Sequence, residues 1–183
     1  MTTKEAIEKR RSIRNYKSNP IPETILKEIL ESARLAPSGR NCQPWCFKIV
    51  TDKVIIEKLS IAANNQTFIA KATTVIVCCA NIKHFKEYMT ENYKERMEYF
   101  KTQTREQISY RLAIQVAIAI EHMVLRAMDF ELGTCWIRSI KEKEVRDIFG
   151  WDENIFIVAL LLVGYPNENP KPKPRLSLDE ILI

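Results

Sequence analysis

Residues Tyr110 to Met128 read Y-R-L-A-I-Q-V-A-I-A-I-E-H-M-V-L-R-A-M. Leu112, Ala113, Val116, Ala117, Ile120, Met123, Val124 and Ala127 recur at helical spacing and make one broad apolar surface. The alanines among them let a neighbouring element approach closely. The stretch predicts a long central helix around which the rest of the chain is arranged. Glu121 is its odd member, because a carboxylate buried in such a helix needs an arginine or a backbone amide as partner.

Outward from this helix, helical and strand patterns alternate. Towards the C-terminus, Gly133–Ile137 predicts a short strand, Lys141–Phe149 a helix and Ile155–Val163 a buried strand, ended by Gly164-Tyr165-Pro166. Towards the N-terminus, residues 83–106 mix charges of both signs (Arg96 among them) with Phe85, Tyr88, Tyr93, Met97 and Phe100, which predicts an exposed helical excursion with one aromatic side. Before it come a strand at Thr73–Ala80, a helix at Val54–Ala63 and a strand at Trp45–Val50. Ile25, Leu26, Ile29, Leu30 and Ala33 mark a helix that has Pro22 in its first turn and stops near Leu35. Thr2 with Glu5 fits a capping box for a first short helix that runs out at Arg10 and Arg11. The C-terminal arm, residues 167–183, carries Pro170, Pro172 and Pro174 and is expected to be extended, with Leu178–Ile183 free to dock on another surface, such as a partner subunit.

The 183 residues, 46% hydrophobic, suit a single domain spanning 1–183, without repeat or linker. Lys and Arg number 28 against 23 Asp and Glu, a mild excess whose location matters more than its sum. Lys4, Lys9, Arg10, Arg11, Arg14 and Lys17 crowd the first twenty residues, and Lys171, Lys173 and Arg175 form a second cluster. Aromatic side chains, which single-stranded nucleic acid would require, are missing from both clusters except for Tyr16. Five cysteines without zinc-type spacing and a charged N-terminus predict a reduced, cytoplasmic protein. Ile155–Val163 is far shorter than the roughly 18–20 residues of a membrane span. His84 and His122 lack companions at metal-ligand spacing, so no metal is expected.

With glycines only at 39, 133, 150 and 164, the chain has neither a dinucleotide fingerprint nor a P-loop. A phosphate would have to be held by side chains, guanidinium forks and a hydroxyl converging on its oxygens. Arg10, Ser12 and Arg14 alternate, so in an extended segment these three point to one side, and Arg11 and Ile13 to the other. Taken alone, the run reads more readily as a solvated surface that complements a helix end.

R-R-S-I-R at 10–14, A-P-S-G-R-N-C-Q-P-W at 36–45, L-G-T-C-W-I at 132–137 and G-Y-P…K-P-K-P-R at 164–175 occur in this order along nearly the whole chain, and together they resemble the nitroreductase family. The resemblance implies an α+β fold, a mostly antiparallel sheet wrapped by helices, and an intertwined homodimer with two FMN sites at the subunit interface. Arg10, Arg11, Ser12 and Arg14 match the family's first flavin-binding segment. Pro37, Ser38, Gly39 and Asn41 match a loop that approaches the flavin from the other subunit. Asn65 or Gln66 would lie near the ring edge, Ile137, Arg138 and Ser139 along the isoalloxazine, and Lys173 with Arg175 at the phosphate. Many relatives have glycine where this chain has Arg138.

The activity so implied is hydride transfer from NADH or NADPH, through FMN, to nitroaromatic, quinone or similar small-molecule acceptors by a ping-pong mechanism. No side chain serves as nucleophile, because the flavin carries the chemistry while the protein orients it and excludes water. Cations such as Arg14 or Lys173 would favour an anionic reduced flavin. Residues 83–106 would cover the active site, where specialised relatives that carry out ene reduction, reductive dehalogenation or flavin breakdown differ. A flavin store or simple anion-binding module is the non-enzymatic alternative.

Overall fold

In chain order the protein, a computed structural model, forms α1 (Thr3–Lys9), α2 (Glu23–Arg34), β1 (Trp45–Val50), α3 (Lys53–Ala62), β2 (Thr74–Asn81) and α4 (Ile82–Asn92). Then follow α5 (Met97–Lys101), α6 (Arg105–Ala127), β3 (Gly133–Ile137), α7 (Glu142–Phe149), β4 (Ile155–Gly164) and α8 (Leu178–Ile181). Residues 1–183 are described, the side chains of Arg96 and Met97 excepted, so the reading of those two side chains lies outside the described residues.

The strands form one sheet in the order β1-β2-β4-β3, with every neighbouring pair antiparallel. The central strands β2 and β4 are apolar almost without interruption because both their faces are covered. Ile76, Cys78 and Ala80 face a core built with α2 and α6, while Val75, Val77 and Cys79 face a second core under α3 and α7. Between β2 and β4 the register shifts, Cys78 opposing Ala159 and Cys79 opposing Ile157, so Val158 is the extra residue of a β-bulge. In consequence Val158 and Ala159 both fall in the α6 core, whereas Ile157 and Leu160 fall in the other.

The central helix starts earlier than its apolar pattern. Thr104 accepts the Gln107 backbone N–H, and the Gln107 side chain accepts that of Thr104, a capping box that sets the first turn on the polar stretch from Arg105. Leu112, Val116, Ala119, Ile120 and Met123 are fully buried against α2 and the sheet. Arg105–Phe130 is long and apolar enough to cross a membrane by length and composition alone; in this fold it is the core helix. On its other side Tyr110, Ile114 and Ile118, four residues apart, are 71%, 51% and 38% exposed and form an uncovered apolar stripe.

Other expectations are corrected in detail. Glu121 keeps much of its surface exposed, at the edge of a recess it shares with Arg10, rather than being buried in the helix's apolar face. Pro22 stands at the N-cap of α2, just before the first turn. The arm is extended as far as Ser177, but Ser177 and Glu180 then form a capping box that winds Leu178–Ile181 into a helical turn. In the excursion, Phe85 and Met89 are buried, and Phe85 meets Phe100 edge-on at 5.3 Å between ring centroids.

Candidate functional site

Arg10 caps α1 and turns the chain into extended conformation. The segment then lies along β3: Ser12 makes an isolated parallel bridge with Thr134, and the Ile13 N–H donates to the Thr134 carbonyl at 2.9 Å. Ile13 points inward and is buried, as the alternation requires. Two strand-end glycines make room for this approach. A Cβ on Gly133 would stand 2.5 Å from the Ile13 side chain, and one on Gly164 would stand 2.7 Å from the Tyr16 ring.

The arm runs back alongside this segment. Lys17 N–H donates to Tyr165 O at 2.8 Å, and Asn167 N–H to Asn15 O at 2.9 Å. The Glu168 carboxylate accepts the backbone N–H groups of Arg14 and Asn15. A cavity of about 650 Å³ opens between segment and arm. Arg10, Arg11, Arg14, Lys171, Lys173 and Arg175 line it together with Ser12, against only Glu8 and Glu168 as acids. The two basic ends of the sequence thus become two walls of one cationic cleft. Glu168 is the member that the sequence reading missed, because that reading followed cations alone.

Within the cleft the arginines are not equivalent. Arg11 donates to the carbonyls of Glu8 and Arg10, both at 2.8 Å, and so serves partly to close the end of α1. The Arg14 guanidinium lies over the Phe68 ring at 5.5 Å, which limits its swing. Next to the cleft, Arg10 and Ser12 share a smaller recess of about 230 Å³ with Glu121 and Trp136. There partial burial raises the Glu121 carboxyl above its ordinary range, and the positive charge of Arg10 acts in the opposite direction.

The remaining expected residues lie outside the cleft of their own protomer. Pro37, Ser38, Gly39 and Asn41 belong to a loop held by other means. Gln115 of α6 accepts the Gly39 N–H at 2.9 Å and the Cys42 thiol at 3.3 Å, Ser38 accepts the Gln43 N–H at 3.0 Å, and Tyr88 donates to Arg40 O at 2.8 Å. Arg40, Asn41 and Gln43 have left-handed φ of 54°, 56° and 43°, and the turn is closed by its own amides, Asn41 N–H donating to Ser38 O at 2.9 Å and Cys42 N–H to Gly39 O at 3.2 Å. Residues 83–106 therefore brace this loop, through Tyr88 and through Tyr93 beneath the Arg40 guanidinium.

Past α3, Gln66 donates to Ala63 O at 2.8 Å and Ser139 O at 3.1 Å, while Asn64 donates to the Ser139 hydroxyl at 2.9 Å. These bonds tie the Asn65 turn to the Ile137–Ser139 segment. Gln66 is committed to the fold, whereas the exposed Asn65, at φ 58°, has no side-chain partner among the described residues. Ile137 is buried at the end of β3. Arg138 is drawn towards α7, 3.7 Å from Glu142.

An antiparallel sheet between two helical layers, with a cationic cleft where a basic segment crosses its β3 edge, defines an α+β protein equipped to hold an anionic ligand. The nitroreductase family model matches residues 7–165, and the chain belongs to the nitroreductase family. A Thermus thermophilus protein named NADH dehydrogenase is 30% identical over an alignment covering 100% of this chain and 96% of that protein. The NAD(P)H FMN reductase of Bacillus subtilis is 27% identical over 93% of this chain and 68% of its own length. The crystal structure of a nitroreductase family protein from Streptococcus pneumoniae has the same fold, with a TM-score of 0.87 at 22% identity, covering 100% of this chain and 99% of that one.

Proposed function

We propose that the protein is an FMN-dependent oxidoreductase, working as a homodimer, that takes hydride from NADH or NADPH and passes it to nitroaromatic, quinone or similar acceptors in a ping-pong cycle. The observation that carries this reading is the convergence of Arg10–Arg14 with Lys171–Arg175 on one cavity. Six cations and a hydroxyl against two carboxylates suit a doubly charged phosphate monoester, and about 650 Å³ falls within the roughly 300–1,000 Å³ of small-molecule sites.

When bound, FMN supplies the hydride chemistry. Arg10, Ser12, Arg14, Lys173 and Arg175 grip its phosphate, and Arg11 adds charge at the rim. Asn65 and the Ile137–Ser139 backbone stand on the ring side. The partner's Pro37–Asn41 loop, with its amides tied up within the turn and to Gln115, completes the pocket as a rigid wall and excludes water from it.

Dimerisation is supported by the exposed stripe Tyr110, Ile114 and Ile118 and by the uncovered Leu176, Leu178 and Ile181 of the arm. It is also supported by the place of the Pro37–Asn41 loop, which does not line the cleft of its own protomer. Each protomer acts as one domain, with residues 167–183 as its arm.

The test is anaerobic. The purified protein is expected to be yellow, or to become so with added FMN, to bleach with NADH or NADPH, and to recover colour with a nitro compound or a quinone. A colourless protein that does not take up FMN would overturn the reading.

A further inference from the structure

The flavin reading employs none of the five cysteines, yet the sheet brings two of them together. Cys46 of β1 and Cys79 of β2 are direct cross-strand partners. The Asn81 N–H donates to the Pro44 carbonyl at 2.8 Å, which fixes the alternation of this ladder and makes Cys46 and Cys79 a hydrogen-bonded pair. Such pairs hold their Cα atoms about 5.5 Å apart, inside the roughly 4.4–6.8 Å span of disulfides. Both side chains join the core under α3 and α7, Cys46 half-buried on the edge strand and Cys79 buried. The neighbouring Cys79 thiol draws the Cys46 thiol below its ordinary range, while the nearness of Cys46, with burial, pushes the Cys79 thiol, whose sulfur lies 3.9 Å from the Val77 carbonyl, upward.

The other three cysteines differ. Burial raises Cys42, Cys78 and Cys135, and the cross-strand partners of Cys78 and Cys135 are Phe47 and Leu162.

We infer that Cys46 and Cys79 form an oxidation site for hydrogen peroxide, with Cys46 as the attacking sulfur and Cys79 as the resolving one. The Cys46 sulfur bonds to one peroxide oxygen as the O–O bond breaks, giving a sulfenic acid and water. The Cys79 sulfur then displaces the sulfenic oxygen, which leaves as a second water with the Cys79 proton. The two thiols lose two electrons and two protons, and peroxide is reduced to two waters. The bridge locks β1, the strand that follows the Pro37–Asn41 loop, to the centre of the sheet.

The experiment treats the reduced native protein with hydrogen peroxide, alkylates it and digests it with trypsin without reduction. Residues 41–48 are expected to emerge linked to residues 72–83, to separate on adding dithiothreitol, and to carry no alkyl group on Cys46. Cys42 and Cys78 lie in the same peptides, so fragment ions of the wild-type pair, and a Cys42→Ser/Cys78→Ala protein that retains the dithiol, assign the bridge. In Cys79→Ser the bridge is lost and Cys46 accumulates sulfenic or sulfinic acid. Cys46 that stays fully alkylatable in excess peroxide, a bridge between other cysteines, or Cys46 oxidised without a bridge in the wild type would each refute the inference.

Discussion

The cationic cleft and the Pro37–Asn41 loop are built on opposite plans. In the cleft the backbone is secured by bonds to β3 and to the arm, leaving Arg10, Ser12, Arg14, Lys173 and Arg175 to present charge. In the loop a side chain, Gln115, secures the backbone, and left-handed residues let the remaining amides close the turn on itself. One region offers long, adjustable cations and the other a rigid, self-bonded turn, so they should respond differently to substitution. Charge reversal should damage the first, whereas the second should suffer from the loss of its anchor.

The most severe way to break this comparison is to keep the two regions apart. Ile114→Lys with Ile118→Lys places charge on the exposed stripe of α6, and sedimentation should then show a folded monomer that has lost nearly all FMN; a flavin-replete monomer would mean that one protomer suffices. Next in size, Arg14→Ala with Arg175→Ala removes two charge-assisted contacts worth about 1.5 kcal/mol each at exposed positions. FMN titration should weaken about a hundredfold while the apoprotein's melting temperature stays put. For the loop, Gln115→Leu forfeits two hydrogen bonds at about 1 kcal/mol each. Flavin affinity should fall roughly tenfold or more, and Gln115→Glu, which keeps the acceptor, should recover most of it.

A gentler probe is Glu168→Gln, which retains an oxygen for the Arg14 and Asn15 N–H groups but removes a negative charge from the cleft. FMN should bind roughly 2–5-fold more tightly, as befits an exposed charge pair; weaker binding would show that the carboxylate charge itself holds the arm. The smallest effect concerns α1, which leads into the cleft. The backbone N–H of Thr2 holds the Glu5 carboxyl down to about 2 from an ordinary 4.5. Because the folded value is the lower one, the capping box contributes in full above about pH 4.5 and is lost as pH falls through about 2. Circular dichroism on wild type and Glu5→Gln should differ at neutral pH and converge in acid.

Much of the architecture is legible in the residues because turn chemistry brackets it. Trp45–Val50 and Gly133–Ile137 have the predicted bounds, and the Thr2–Glu5 box starts α1 as expected. The start of α6 was missed because Arg105–Ser109 is too polar to extend the apolar pattern, although Thr104 and Gln107 carried the signal. The bulge at Val158 leaves no trace in the pattern, since a strand apolar on both faces has no alternation to disturb. Cys46 meets Cys79 only through strand register, which no local reading supplies. Arg10–Arg14 and Lys171–Arg175 are each visible as charge, but their meeting depends on the arm's path along Asn15–Lys17. Gln115 lay inside an apolar helix, where one amide drew less notice than Glu121, the residue that proved exposed.

Gly133 and Gly164 give the cleft an engineering rule. These two positions act as sockets for Ile13 and Tyr16, which are buried on the side of the segment facing the sheet. A saturation scan for flavin retention would therefore find the least tolerant residues at places no ligand reaches, and more freedom at single arginines on the rim. Anyone transplanting this cleft into another scaffold must carry the sockets along with the pentapeptide, or the same five residues will revert to a solvated basic run.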